Sequence, residues 1–259
     1  MKKLAVTVLL AATLMLAACG DNKQSDSPSA TRTTPEVSTE ADAQEDTQGT
    51  DTDEADTKEA DSDESGAGEK TTQEAADYSL GEFTETGYQS SYMGYQFTTP
   101  EGCILATEEE LAQMGGMSAE ILEDDFGKAM AEYAKNSVVF DLYAIFPETN
   151  TNINMTLSPN TMNITDISLV VEASVEQLEA MQTMEVTVSD ERSTVQIAGK
   201  DYLSFIADTR YNDANYGEIA IKQECYMTLY NDKIVSMAIS YQEGNESERD
   251  ALLAAFSEF

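Results

Sequence analysis

Between Gly20 and Asp77 the chain has one sizeable aliphatic residue, Val37, and no aromatic, a depletion that constrains its folding more than any other feature. Asp, Glu, Thr, Ser, Ala, Gln and Gly dominate these 58 residues, which carry 18 acidic and 4 basic side chains. So little apolar surface does not offset an ordering entropy of about 1–2 kcal/mol per backbone residue. Residues 19–77 are therefore expected to form a disordered acidic linker, a tether. A neutral flexible chain of this length spans roughly 40 Å, and the net charge of −14 swells it further. At Tyr78 apolar and aromatic residues return at regular spacing and continue to Phe259, 182 residues with no second break and no repeat. That length suits one domain, 78–259, with its own core.

The tether is preceded by Met1, Lys2 and Lys3, then by an apolar run from Leu4 to Ala18 broken only by Thr7 and Thr13. As a helix the run would span roughly 22 Å, short of the ~30 Å hydrocarbon core, so residues 1–18 read as a cleaved export signal. Leu16, Ala17, Ala18 and Cys19 resemble the lipobox of bacterial lipoproteins. The resemblance implies that Cys19 is diacylated and becomes the mature N-terminus. An ordinary secretory signal that happens to contain a cysteine is the alternative. Two acyl chains, with each methylene contributing ~0.8 kcal/mol, suffice for stable anchoring. The expected location is the extracytoplasmic face of a cell membrane. Gly20, where an aspartate would favour inner-membrane retention, leaves an outer-membrane address open in a two-membrane organism.

The formal charge is −35, and removing Lys2 and Lys3 leaves −37. Such a chain repels polyanions, which argues against nucleic acid as a partner. It has no histidine, so a Ser-His-Asp triad and a His-containing zinc site are both excluded. No Gly-x-Ser-x-Gly or P-loop occurs either. No cofactor is implied.

Within the domain, Met93, Tyr95 and Phe97 alternate as a first strand ended by Pro100 and Gly102. Thr107 and Glu110 form a capping-box pattern for a helix through Leu111 and Met114, stopped by Gly115 and Gly116. A second helix is predicted from Ser118, with Leu122, Phe126, Ala129, Met130 and Tyr133 on one face. Val138 to Phe146 is apolar on both faces apart from Asp141, the mark of a central strand. Ile153, Met155 and Leu157 alternate with Asn and Thr as a half-exposed partner, and a helix is predicted with Ser174 as its cap. A strand from Glu185 runs toward Ile197, turns at Gly199 and Lys200, and returns over Tyr202 to Tyr211. The long alternation from Ile219 to Tyr230 turns at Asn231 and Asp232 into a strand over Ile234 to Tyr241. Asn245 and Glu248 then open a last helix burying Leu252, Ala255, Phe256 and Phe259. The expected fold is α+β, an antiparallel sheet of about six strands flanked by helices.

The segments GYQFTTPEGC (94–103), VQIAGKDYLSF, ECYMTLYNDKIVSMAISY and the closing AAFSEF, in that order, resemble the PsbP-like domain. The resemblance covers residues 88 to 259 and implies an α/β/α sandwich, known from extrinsic photosystem subunits and from bacterial lipoproteins. Many members open with a tryptophan after the Pro-x-Gly turn, where Cys103 stands here. No active-site residue is implied, because members assist assemblies without catalysis.

Four constellations have two readings each. Cys103 and Cys225 form either an exported disulfide or two buried thiols. Glu108 to Glu110, Glu123 to Asp125, and Asn212, Asp213 and Asn215 either ligate calcium or are solvated; for the two acidic triplets, helix-dipole placement is explanation enough. Asp61, Asp63, Ser65 and Gly66 either begin a calcium loop, although Thr72 takes the place of its bidentate Glu and no apolar helix flanks the run, or share in weak, unspecific divalent-ion condensation on the acidic tether. Tyr226, Tyr230 and Tyr241 form either a carbohydrate or peptide surface or sheet packing. The function expected is a lipid-anchored, non-catalytic binding or accessory module with an envelope protein or small ligand as partner. Its alternatives are a carboxylate-dependent hydrolase of envelope glycan or peptide, needing two cleft carboxylates and a raised pKa, and a calcium-dependent adhesion domain.

Overall fold

The structure, a computed structural model, describes residues 78–117, 126–213 and 217–259. The signal, Cys19, the tether, the Asp61 loop, Ser118 to Leu122, Glu123 to Asp125 and Asn215 lie outside the described residues. Among the described residues, twelve strands form two antiparallel sheets. The smaller sheet has the order β1-β2-β3-β12, from β1 (Glu82–Thr84), β2 (Gly87–Ser90), β3 (Tyr95–Thr98) and β12 (Phe256–Glu258). The larger comprises β4 (Ile104–Leu105), β5 (Val139–Ile145), β6 (Asn152–Pro159), β7 (Glu185–Val188), β8 (Ser193–Ile197), β9 (Lys200–Asp213), β10 (Gly217–Tyr230) and β11 (Lys233–Tyr241). Its order is β4-β5-β6-β11-β10-β9-β7, with β8 beside β7 along β9.

The helices among the described residues are α1 (Glu108–Met114), α2 (Phe126–Ala134), α3 (Ile167–Glu179) and α4 (Glu246–Ala254). On the inner face of the large sheet, Leu142, Met155, Met237 and Tyr226 follow one another across strands and pack with Tyr88, Tyr95, Phe97, Met130 and Leu252. The small sheet, α2 and α4 therefore share one core with that face. The outer face carries two separate patches. Phe140 and Tyr143 pack with Leu111 of α1, and Phe205, Cys225 and Met227 pack with Val170, Val171, Val175 and Leu178 of α3. Helices thus cover both faces of the larger sheet, and the class is α+β.

The capping box at α1 is formed: Glu110 N–H donates to Thr107 Oγ1 at 3.3 Å and Thr107 N–H to Glu110 Oε2 at 2.8 Å. Gly116 takes φ +86°, the left-handed value that favours glycine after a helix. The Asn231–Asp232 hairpin is also present, with Asn231 at φ +52° and Tyr230 opposite Lys233.

Several expectations are corrected. The described residues hold twelve strands rather than about six, because the first hairpin, β4 and β12 have only two to four residues each, too short for a visible alternation. The helix expected to start at Ser174 starts at Ile167, where Asp166 Oδ1 accepts from Ser168 N–H at 3.0 Å. Ser174 lies inside it and donates to the Val170 carbonyl four residues back at 2.8 Å. The turn before β9 uses Ala198 and Gly199, both at positive φ, with Lys200 already paired to Ile197. Strand β6 is not half-exposed: its outward Asn152 and Asn154 are buried along with its inward Ile153, Met155 and Leu157. Asn245 precedes α4 without a side-chain cap bond, and Phe259 remains 57% exposed because the chain leaves the helix to pair with β3.

Candidate functional site

The two strongest polar centres are buried carboxylates surrounded by tyrosines. Strand β5 has a bulge: pairing passes from Phe140 with Thr156 to Leu142 with Met155, so Asp141 is the extra residue. Asp141 is wholly buried and points to the small sheet. Its Oδ1 accepts from Tyr78 at 3.0 Å and Tyr88 at 3.1 Å, and its Oδ2 from Tyr95 at 2.8 Å. Tyr88 in turn accepts from Gly81 N–H at 2.7 Å. Burial raises the Asp141 pKa, while the bonds from Tyr95, Tyr78, Tyr88 and Ser90 oppose the rise. Burial first, and the nearby carboxylate second, push the Tyr78, Tyr88 and Tyr95 hydroxyls up as well. The cluster joins the two sheets and is closed to substrate.

Glu224 sits on the inner face of β10, 8% exposed. Its Oε2 accepts from Tyr226 at 2.7 Å and its Oε1 from Tyr241 at 2.8 Å, while Arg249 Nη1 of α4 approaches Oε1 at 3.5 Å. The Arg249 guanidinium also lies 5.6 Å from the Tyr241 ring centroid, a cation–π distance. Burial, followed by the bond to Glu224, raises the pKa of both tyrosines.

Beyond this cluster the inner face becomes an open groove of about 580 Å³. Its floor follows the strand register: Thr187, Asp208, Lys222 and Tyr241 form one row, and Glu185, Arg210 and Ala220 the next. Glu243 and Glu246, at the entry of α4, stand at its side. Backbone N–H bonds of Glu246 itself and Gly244 hold the Glu246 carboxyl below the usual range. The Asp141 carboxyl, raised by burial, lies outside this groove, between the two sheets.

The residues singled out in the sequence are dispersed. Cys103 is half-buried against the inner core and Cys225 is buried in the α3 patch, and both are free thiols. Burial raises Cys103 to about 11 and Cys225 further. Glu110 serves the capping box, with Glu108 and Glu109 in the same first turn. Asn212 and Asp213 end β9. Among the described residues, no three His, Cys, Asp or Glu side chains gather as a metal site. Tyr226 and Tyr241 are buried on Glu224, and Tyr230 packs edge-on to Tyr92 at 5.7 Å, so these tyrosines do not form one open surface. Sequence reasoning missed the role of Asp141, although an acid inside an apolar strand was the visible signal. It also missed Glu224 and the groove, since cross-strand rows exist only once the register is set.

The class is therefore an α+β domain with two antiparallel sheets and a polar groove on the open end of the larger one. No protein-family model and no curated protein matches the chain. Among solved structures, it is similar to the solution structure of cyanobacterial PsbP (CyanoP) from Synechocystis sp. PCC 6803, with 11% identity and a TM-score of 0.42 over 68% of this chain and 95% of that one. It is also similar to LpqN of Mycobacterium tuberculosis, described as involved in cell envelope biogenesis, with 10% identity and a TM-score of 0.34 over 63% and 82%. Among the described residues no helix is long and apolar enough to cross a membrane.

Proposed function

We propose that this protein is a lipid-anchored, extracytoplasmic binding or accessory module without catalytic activity. Cys19 carries the lipid, residues 19–77 serve as the tether, and the groove of β7, β9 and β10 receives an envelope protein or a small polar ligand. The PsbP-like assignment, based on the order of elements from GYQFTTPEGC to AAFSEF, belongs to the same proposal.

The observation that carries this reading is the groove floor. Arg210 is registered with Glu185, and Lys222 with Asp208, along that floor. Alternating charges of this kind orient a polar partner.

The full chain carrying Cys19→Ser tests both halves. It is expected to move from the membrane fraction to the medium; unchanged membrane retention rejects the anchor. The same soluble chain, screened by thermal melting against envelope glycan fragments and peptides, is expected to shift with one class, and Arg210→Glu with Lys222→Glu is expected to abolish that shift. A shift that survives both reversals rejects the groove as the site.

A further inference from the structure

The outer face of the large sheet contains a second polar feature, away from the groove. On β6 the outward positions Asn152, Asn154, Thr156 and Ser158 are all polar, although the strand is central and its other face, Ile153, Met155 and Leu157, is solid core. On neighbouring β11, Ser236 stands opposite Thr156 and Ser240 opposite Asn152. This polar file runs along the seam between the α1 patch, with Phe140 and Tyr143, and the α3 patch, with Cys225 and Met227. Its members are bonded at one end: Gln223 Nε2 donates to Ser240 at 3.2 Å, and Asn152 Nδ2 to the Asn150 carbonyl at 2.9 Å. Thr156 Oγ1 donates to the Ser236 carbonyl at 3.4 Å.

Asn154 differs. It is 4% exposed, and its Nδ2 has no hydrogen-bond partner among the described residues. It lines a cavity of about 10 Å³, bounded also by Phe140, Thr156, Ser158, Cys225 and Ser236. A water needs about 10–15 Å³ of such volume and two to four polar partners. The size admits one water and nothing larger, and the hydroxyls of Thr156, Ser158 and Ser236 leave lone pairs for a bound water to donate to.

We propose that this cavity is a hydration site: a single ordered water accepts from Asn154 Nδ2 and donates to the hydroxyls beside it, bridging the two outer patches across the seam. The chain's own donor and acceptors make the site specific for an acceptor oxygen, since an apolar occupant leaves Nδ2 unmatched.

Water–protein Overhauser spectra of the 15N-labelled full chain test the proposal, with water itself as the probe. The Asn154 Nδ2 protons are expected to give a cross-peak to a water bound for longer than the molecule tumbles. Asn154→Val is expected to lose the long-lived water and keep a Tm near that of the wild type. Should Asn154→Val not fold, Asn154→Ser, which retains a hydroxyl, is expected to fold and to keep the water signal at the Ser236 amide. Absence of the cross-peak in the wild type, or an Asn154 amide found donating to a protein carbonyl, overturns the proposal.

Discussion

Asp141 and Glu224 use the same chemistry, a buried carboxylate accepting from tyrosine hydroxyls, in different surroundings. Asp141 lies between two sheets, is bonded by three tyrosines from β2, β3 and the segment before β1, and forms no ion pair among the described residues. Glu224 lies at the rim of a groove, with two tyrosines and an arginine that is a quarter exposed. The difference shows how one motif takes two roles. Without a counter-charge, the first is a structural clamp whose ionisation is opposed by burial. Charge compensation and access to water make the second a polar wall beside a site.

Replacing Asp141 by Leu gives the largest effect, because it leaves three buried hydroxyls without an acceptor. A loss of about 3 kcal/mol or more in denaturant unfolding is expected, and a loss below about 1 kcal/mol would show that the clamp is not formed. Removing one donor from each centre sharpens the contrast. Tyr95→Phe is expected to cost about 2 kcal/mol, against about 1 kcal/mol for Tyr241→Phe at the wetter rim; equal losses would erase the distinction.

The pH dependence separates them further. Because the native Asp141 pKa is raised, the folded state holds a proton that the unfolded chain releases. The associated stability is complete below the ordinary carboxyl value of 3.8 and is lost as pH rises through the raised native value. Unfolding free energies of the wild type and Asp141→Asn, measured from acid to neutral pH, are expected to show the difference moving against the wild type as pH rises; a constant difference contradicts the clamp's ionisation. Added salt is expected to weaken the contribution of Arg249, measured by Arg249→Met, by up to about 0.5 kcal/mol while leaving the effect of Tyr95→Phe unchanged. The smallest effect belongs to the groove. Lys222→Ala and Arg210→Ala are expected to stay within about 0.5 kcal/mol of the wild type in stability, so any loss of ligand reports on the site and not on folding.

How much of this was legible beforehand depended on the range of the interaction. The Thr107–Glu110 box, the Gly115–Gly116 stop and the Asn231–Asp232 turn are settled within four residues, and each stands where the sequence places it. The start of α3 was obscured because Ile167, Val170 and Val171 are β-branched and suit a strand as well as a helix. Asp141 was visible as an exception in an apolar run, but its partners come from 46 to 63 residues away. The groove was invisible, since Thr187, Asp208, Lys222 and Tyr241 become a row only through three strand pairings.

The sequence by itself determined the contrast in composition between residues 20–77 and 78–259, the α+β class, and the local caps and turns. Those features depend on composition and on contacts between near neighbours, which every copy of the chain carries in either state, folded or unfolded. Only the tertiary structure decided that a short first hairpin and the tail strand build a second sheet, that a bulge turns Asp141 toward three tyrosines, and that the open end of β7, β9 and β10 carries paired charges. Those features rest on strand register and sheet-to-sheet packing, which shift every side chain's partner when they change by one residue.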